Sequence, residues 1–174
     1  RAVRLGIRAR IARRVSQLNS GTVEDFSQRQ RVLMAERASG PITTHTAEAN
    51  EQHYEVPTEY FQAVLGPRLK YSSAYWPVGI TTLGQAEEAM LELSCDRARL
   101  ADGQRVLELG CGWGSLTLWM ADRYPASEIV AVSNSATQRR HITSEAERRG
   151  LSNVVVFTAD VADFEPEGHF DRVV

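Results

Sequence analysis

The chain has 174 residues, 43% of them hydrophobic, and a formal net charge of -2. That is enough for a domain with a real core, and it gives no global attraction to nucleic acid or anionic lipid. No apolar run approaches the roughly 20 residues of a membrane span, the N-terminal stretch lacks the apolar core of a secretory signal, and the two cysteines, Cys95 and Cys111, are too few for a disulfide framework or a structural zinc site; a reducing cytoplasm is the expected location.

The average charge hides an asymmetry. Arg1, Arg4, Arg8, Arg10, Arg13 and Arg14 all precede the first acid, Glu24. Between them Val3, Ile7, Ile11, Val15 and Leu18 recur at helical spacing, which predicts an amphipathic helix over 1–18. Two readings stand for it. Its arginines attract anionic headgroups while the stripe dips into a membrane interface, giving peripheral membrane contact; or the stripe packs on the rest of the protein and the arginines face water, the preferred reading. A second helix is expected near 22–38, then a connector over 39–52. Pro57 and Thr58 open a short helix over "TEYFQAVL", closed by Gly66-Pro67. "LKYSSAYWP" is a loop dense in hydroxyls and aromatics. Thr82 and Gln85 have capping-box spacing and open a helix to about Leu100, with Ala86, Met90 and Leu93 on one face.

The grammar then changes. "RVLEL" reads as a strand, "GCGWG" as a turn, "SLTLWMADRY" as a helix, "EIVAVS" as a strand, "SATQRRHITSEAERRG" as a helix ending at Gly150, "NVVVF" as a strand, "TADVADFEPEGH" as a loop, and "FDRVV" as the opening of another strand. Alternating strands and helices with short links predict an α/β fold, a parallel sheet of about four strands covered by helices. The expected organisation is a helical segment, 1–100, on the substrate side, followed by an unfinished α/β half-domain, 101–174. A chain that starts at Arg1 and stops inside a strand is expected to be a fragment.

A strand, a glycine-rich turn and a helix form a cofactor cradle, because missing β-carbons let the backbone approach a ligand at the strands' carboxyl ends. The nicotinamide fingerprint is G-x-G-x-x-G with an acid on the ribose about 20 residues on. Here Gly110, Gly112 and Gly114 are spaced G-x-G-x-G, and the second strand ends in "AVSNS" with no acid. Both departures weigh against a dinucleotide.

"ELGCGWGS", "VSNSATQ" and "TAD", in that order, resemble the class I S-adenosylmethionine-dependent methyltransferases, whose sheet is Rossmann-like. Within them the chain is similar to the cyclopropane-fatty-acid synthase family and its coclaurine-type N-methyltransferase relatives. "ANEQHYEVPTEYFQAVLGPRLKYSSAYW" carries that family's H-Y-[DE] block and its Tyr-Ser-x-x-Tyr loop, so the resemblance runs from about residue 48 to the end.

The resemblance implies S-adenosylmethionine as cofactor and a set of binding residues. Tyr71 and Ser72 belong to the loop over the sulfonium and methionine end, where a ring face and hydroxyl oxygens suit a cation. Glu108 would accept hydrogen bonds near the cofactor's amino group. Gly110, Gly112 and Gly114 would meet the methionine and ribose portion. Ser133, Asn134 and Gln138 stand where most methyltransferases place a ribose-binding carboxylate; an amide can both donate to and accept from a diol. Gln138 has a competing role, since Ser135 to Gln138 is also capping-box spacing. Asp160 would accept from the adenine amino group, with Val161 beside it.

His53, in the H-Y-[DE] block, is more simply a structural hydrogen-bonder than a catalytic group. His45, His141 and His169 support no role. Cys111 reads as a packing residue, since nothing basic is placed to activate it. In the resembled family a Glu and His pair follows the fourth strand and assists the reaction. That pair would lie beyond Val174, so no catalytic residue is assigned, and turnover by this chain alone is not expected.

The substrate is a small molecule or a lipid. The lipid-modifying members carry Cys after the Tyr-Ser pair, where Ser73 stands here as it tends to in the N-methylating relatives. The reading is methyl transfer to an amine-like acceptor. Cyclopropane formation on a phospholipid acyl chain and a non-catalytic cofactor-binding remnant are the alternatives. The oligomeric state is not legible.

Overall fold

A computed structural model describes residues 2–40 and 57–174. His45, His53 and the H-Y-[DE] block lie outside the described residues. By contacts the chain divides into two compact units, residues 1–42 and 43–174. The boundary near residue 100 is one of sequence grammar; the helices between 57 and 100 group with the sheet.

In the first unit, α1 spans Ala2–Leu18 and α2 spans Val23–Ser39. Thr22 caps α2 in a full capping box: its Oγ1 accepts from the Asp25 N–H at 3.2 Å, and Asp25 Oδ2 accepts from the Thr22 N–H at 2.7 Å. Neither helix has a buried residue, and Val3, Ile7, Ile11, Val15 and Leu18 are all exposed.

In the second unit, α3 (Thr58–Val64) and α4 (Leu83–Ala98) precede β1 (Arg105–Leu109), α5 (Ser115–Arg123), β2 (Glu128–Ser133), α6 (Ala136–Arg149), β3 (Val154–Thr158) and the short β4 (Arg172–Val173). The expected capping box on α4 is present in both directions, Thr82 with Gln85. The buried face of α4 is rotated from the expected one: Ala86, Glu87, Leu91 and Cys95 are buried, while Met90 and Leu93 are only partly so. The cause is Glu87, a carboxylate drawn inward by a partner outside the helix.

All strand pairs are parallel, in the order β3-β2-β1-β4. Alternate strand residues face opposite sides of the sheet. On one side Val106, Ile129 and Ala131 pack against Cys95 of α4, Leu118, Met120 and Ala121 of α5, and Ile142 and Ala146 of α6. On the other, Leu107, Val130 and Val132 pack against Ala159, Val161, Phe164 and Phe170 of the segment after β3. Each fully buried Val, Leu, Ile or Met among them stabilises the fold by about 1.5–3 kcal/mol relative to exposure. Arg105 pins the far end of that segment: its guanidinium lies 4.3 Å from the Phe170 ring centroid, donates to the Glu167 carbonyl at 2.7 Å and pairs with Glu128 at 2.8 Å.

With β1 flanked by β2 on one side and β4 on the other, the direction of chain progression reverses at the carboxyl end of β1. That is where open parallel sheets form a ligand crevice.

Candidate functional site

The turn after β1 is held to the sheet by its own backbone. Gly110 N and Cys111 N both donate to the Val132 carbonyl of β2, at 2.9 and 3.0 Å, and Gly114 N donates to Cys111 O at 2.9 Å. This tight path requires left-handed backbone at Gly110 (φ 81) and Gly112 (φ 55). A Cβ at either position would meet no protein atom within 4 Å. The turn therefore leaves open space on its crevice side.

A cleft of about 330 Å³ opens there, within the roughly 300–1,000 Å³ range of small-molecule sites. It brings together Tyr71, Ser72, Glu108, Gly110, Gly112 and Gln138 of the expected residues. Glu108, only 6% exposed, accepts a 2.6 Å hydrogen bond from Thr117 Oγ1 on the first turn of α5. Burial lifts its carboxyl from an ordinary 4.5 to about 7, against the Thr117 hydrogen bond and the nearby Lys70 ammonium, which favour the charged form. Tyr71 is half exposed at the mouth, its ring edge-on to Phe61 at 5.5 Å, and Phe61 in turn packs on Trp113 at 4.7 Å.

Gln138 is 2% exposed. Ser135 caps α6 through the Gln138 N–H at 3.3 Å, but the Gln138 side chain does not close the capping box. Its Oε1 instead accepts from Ser133 Oγ at 2.6 Å, and Ser133 Oγ also accepts from the Ser135 N–H at 3.1 Å. Ser133 thus supports Gln138 from behind and does not itself line the cleft. Gln138 Nε2 is buried without a hydrogen-bond partner. A buried amide donor left unpaired costs about 1–3 kcal/mol, and a ligand acceptor would satisfy it.

The other expected residues are placed differently. Asn134 and Asp160 are partly buried outside the cleft lining, and Asp160 Oδ1 accepts from the Ala162 N–H at 2.9 Å, shaping the turn after β3. Val161 packs on the opposite face of the sheet. Gly114 turns away from the crevice: a Cβ there would lie 2.6 Å from Ile142 Cγ1, so this glycine is required by the packing of α5 on α6. Burial pushes the Cys111 thiol well above its ordinary range, which fits a packing residue.

Several residues of the site were missed by sequence reasoning. Thr117 sits nine residues beyond Glu108, and only the strand-turn-helix path brings the two together. Lys70 lines the cleft and donates to Ser72 Oγ at 2.6 Å. Glu87, 2% exposed, accepts from the Arg68 backbone N–H at 3.0 Å and so anchors the loop that carries Lys70, Tyr71 and Ser72. Gly66 permits this, because a Cβ on it would overlap the Glu87 carboxylate. A capped α4 with glutamate on its first turns was visible in the sequence; that the glutamate points inward was not.

A parallel sheet covered by helices, with its crevice at a glycine turn after β1, is a Rossmann-like fold. The chain belongs to the mycolic acid cyclopropane synthetase family, which it matches over residues 42–174. It is 43% identical over 133 residues to an (S)-coclaurine N-methyltransferase of Thalictrum flavum subsp. glaucum, covering 76% of this chain and 37% of that protein. It is 36% identical over 124 residues to the cyclopropane-fatty-acyl-phospholipid synthase of Escherichia coli strain K12, covering 71% of this chain and 31% of that protein. A crystal structure of coclaurine N-methyltransferase bound to N-methylheliamine and SAH (S-adenosylhomocysteine) superposes with a TM-score of 0.85 at 38% identity, covering 98% of this chain and 49% of that one. A mycolic acid cyclopropane synthase complexed with SAH and CTAB gives 0.64 at 26% identity, covering 71% of this chain and 43% of that one. The chain thus spans less than half the length of these relatives.

Proposed function

We propose that this chain is the cofactor-binding part of an S-adenosylmethionine-dependent methyltransferase acting on a small, amine-like acceptor. The observation that carries the reading is the unpaired, buried Gln138 Nε2 beside a glycine turn that leaves open space. The residues present fit the cofactor. Gln138 would hold a ribose hydroxyl with Nε2 while Ser133 fixes its Oε1. Glu108 would take the ammonium of the methionine end, and the backbone of Gly110 and Gly112 would lie along the chain between them. Tyr71 and Ser72 would close the mouth, and Asp160, just past β3, would receive the adenine amino group.

When bound, S-adenosylmethionine supplies a methyl group activated by a sulfonium. The chain's own residues contribute alignment and exclusion of water, which suffice for an in-line displacement once the acceptor nitrogen carries a free electron pair. The amine acceptor is supported by Ser73 and by the higher identity to N-methyltransferases, 38–43% for those of Thalictrum, Papaver and Eschscholzia, than to the cyclopropane synthase at 36%.

Titration with S-adenosylhomocysteine tests the cofactor site. Gln138→Ala is expected to weaken binding roughly tenfold, the loss of a hydrogen bond worth about 1–1.5 kcal/mol. Unchanged affinity in a folded variant would remove Gln138 from the site.

Among the described residues no helix is long and apolar enough to cross a membrane. The same reading places the protein in the cytoplasm, where its two free, buried cysteines stay reduced. Peripheral contact of α1 with anionic lipid is supported by its arginines and its exposed apolar residues. Sedimentation with phosphatidylserine vesicles that is lost at high salt is the expected result for it, and no sedimentation at low salt would refute it.

A further inference from the structure

We infer that Lys70 receives the carboxylate of the cofactor's amino-acid end, opposite Glu108, so that the cleft reads a zwitterion by one cation and one anion. The inference rests on the cleft being the S-adenosylmethionine site.

Among the described residues that line the cleft, Lys70 alone is cationic and Glu108 alone is acidic. Both belong to the end formed by the loop before Tyr71 and the tip of β1. The opposite requirement, for a diol, is met by the neutral Gln138. A free amino-acid moiety carries an ammonium and a carboxylate on one carbon, so a site that held only its ammonium would desolvate the carboxylate without return. Lys70 supplies the missing partner.

The lysine also has a hydrogen-bond partner on its own loop. Its Nζ donates to Ser72 Oγ at 2.6 Å, using one of its three N–H donors. Its loop is tied to α4 through the Arg68 N–H and the buried Glu87 carboxylate. Burial lowers the pKa of its ammonium from the ordinary value, and the charges of Glu87 and Glu108 offset only part of that effect. Glu87 thus acts as a positioning residue for the loop, and Lys70 as the group that touches the ligand.

Two probes separate this role from a purely structural one. S-adenosylhomocysteine carries the amino-acid end, whereas 5′-methylthioadenosine keeps the adenine, ribose and thioether and lacks it. Lys70→Met is expected to weaken S-adenosylhomocysteine about tenfold or more while leaving 5′-methylthioadenosine within about twofold. Lys70→Arg, which keeps the charge, is expected to retain most of the first affinity. An equal loss for both probes would mean that Lys70 only shapes the loop, and no loss for either would mean that it stands clear of the ligand; each overturns the assignment. Wild-type protein that binds neither probe would instead refute the cofactor reading, and the assignment with it.

Discussion

Gly114→Ala is expected to destabilise the protein by roughly 2–5 kcal/mol, enough to unfold a marginal domain. Two causes add. Gly114 sits at φ 78, in the left-handed region, where a β-carbon costs about 1–2 kcal/mol. That carbon would also lie 2.6 Å from Ile142 Cγ1, 3.1 Å from Cδ1 and 3.2 Å from Cγ2. Ile142 is fully buried on α6 and belongs to the cluster with Leu118, Ala131 and Val156, so it has little room to yield. Overpacking of this kind typically costs about 1–3 kcal/mol. Urea unfolding in two backgrounds separates the causes. With Ile142 already replaced by alanine, Gly114→Ala should cost only the backbone share, about 1–2 kcal/mol. Equal costs in both backgrounds would assign the whole effect to backbone strain and none to the contact between α5 and α6.

Glu108→Gln should pull stability and ligand affinity in opposite directions. In the folded protein burial raises the Glu108 carboxyl from 4.5 to about 7, so the native state keeps its proton where the unfolded chain has already lost it. Stability contributed by the protonated, buried group is therefore fully present below about pH 4.5 and is lost as pH rises to about 7, some 3 kcal/mol in all. A glutamine has no such titration. The variant should match the wild type near pH 4 and exceed it near pH 8, with the difference growing across that window in denaturant unfolding. S-adenosylhomocysteine should show the reverse. If its ammonium pairs with the ionised carboxylate as proposed, wild-type affinity rises with pH through about 7 as the free protein gives up its proton. Glu108→Gln should bind more weakly and lose this pH dependence. A variant with wild-type affinity at both pH 6 and pH 8 would place Glu108 outside the ligand contacts.

These two residues also show how far the sequence could be read. β1 and β2 are legible to the residue, because short apolar runs bounded by Gly, Pro and polar turns leave few alternatives. The caps of α4 and α6 are equally local: Thr82, Ser135 and Gly150 act on neighbours within four residues. What was not legible depends on approach across the fold. Gly114 looks like one of three equivalent glycines until Ile142, 28 positions later, is seen against it. Spacing leaves Gln138 divided between a helix cap and a ligand contact; in the structure Ser133 Oγ holds its Oε1 and the capping box stays open. Lys70 reaches the cleft and Thr117 reaches Glu108 only once the loop before α4 and the first turn of α5 meet at the tip of β1.

The buried face of α4 is a related case. Hydrophobic periodicity selects Ala86, Met90 and Leu93, whereas the helix turns to bury Glu87 with Leu91 and Cys95. A buried carboxylate is invisible to a hydrophobic pattern, and its justification lies in the Arg68 N–H and in the missing side chain of Gly66. The same contact holds the loop at the mouth of the cleft, so fold and site share one interaction here.

Calorimetric titration of the 174-residue chain with S-adenosylhomocysteine, with NADH as the control, tests the central claim most directly. Saturable binding of S-adenosylhomocysteine by one site per chain and no binding of NADH are expected. A chain shown to be folded by circular dichroism that releases or absorbs no heat with S-adenosylhomocysteine, or that binds NADH instead, would contradict it.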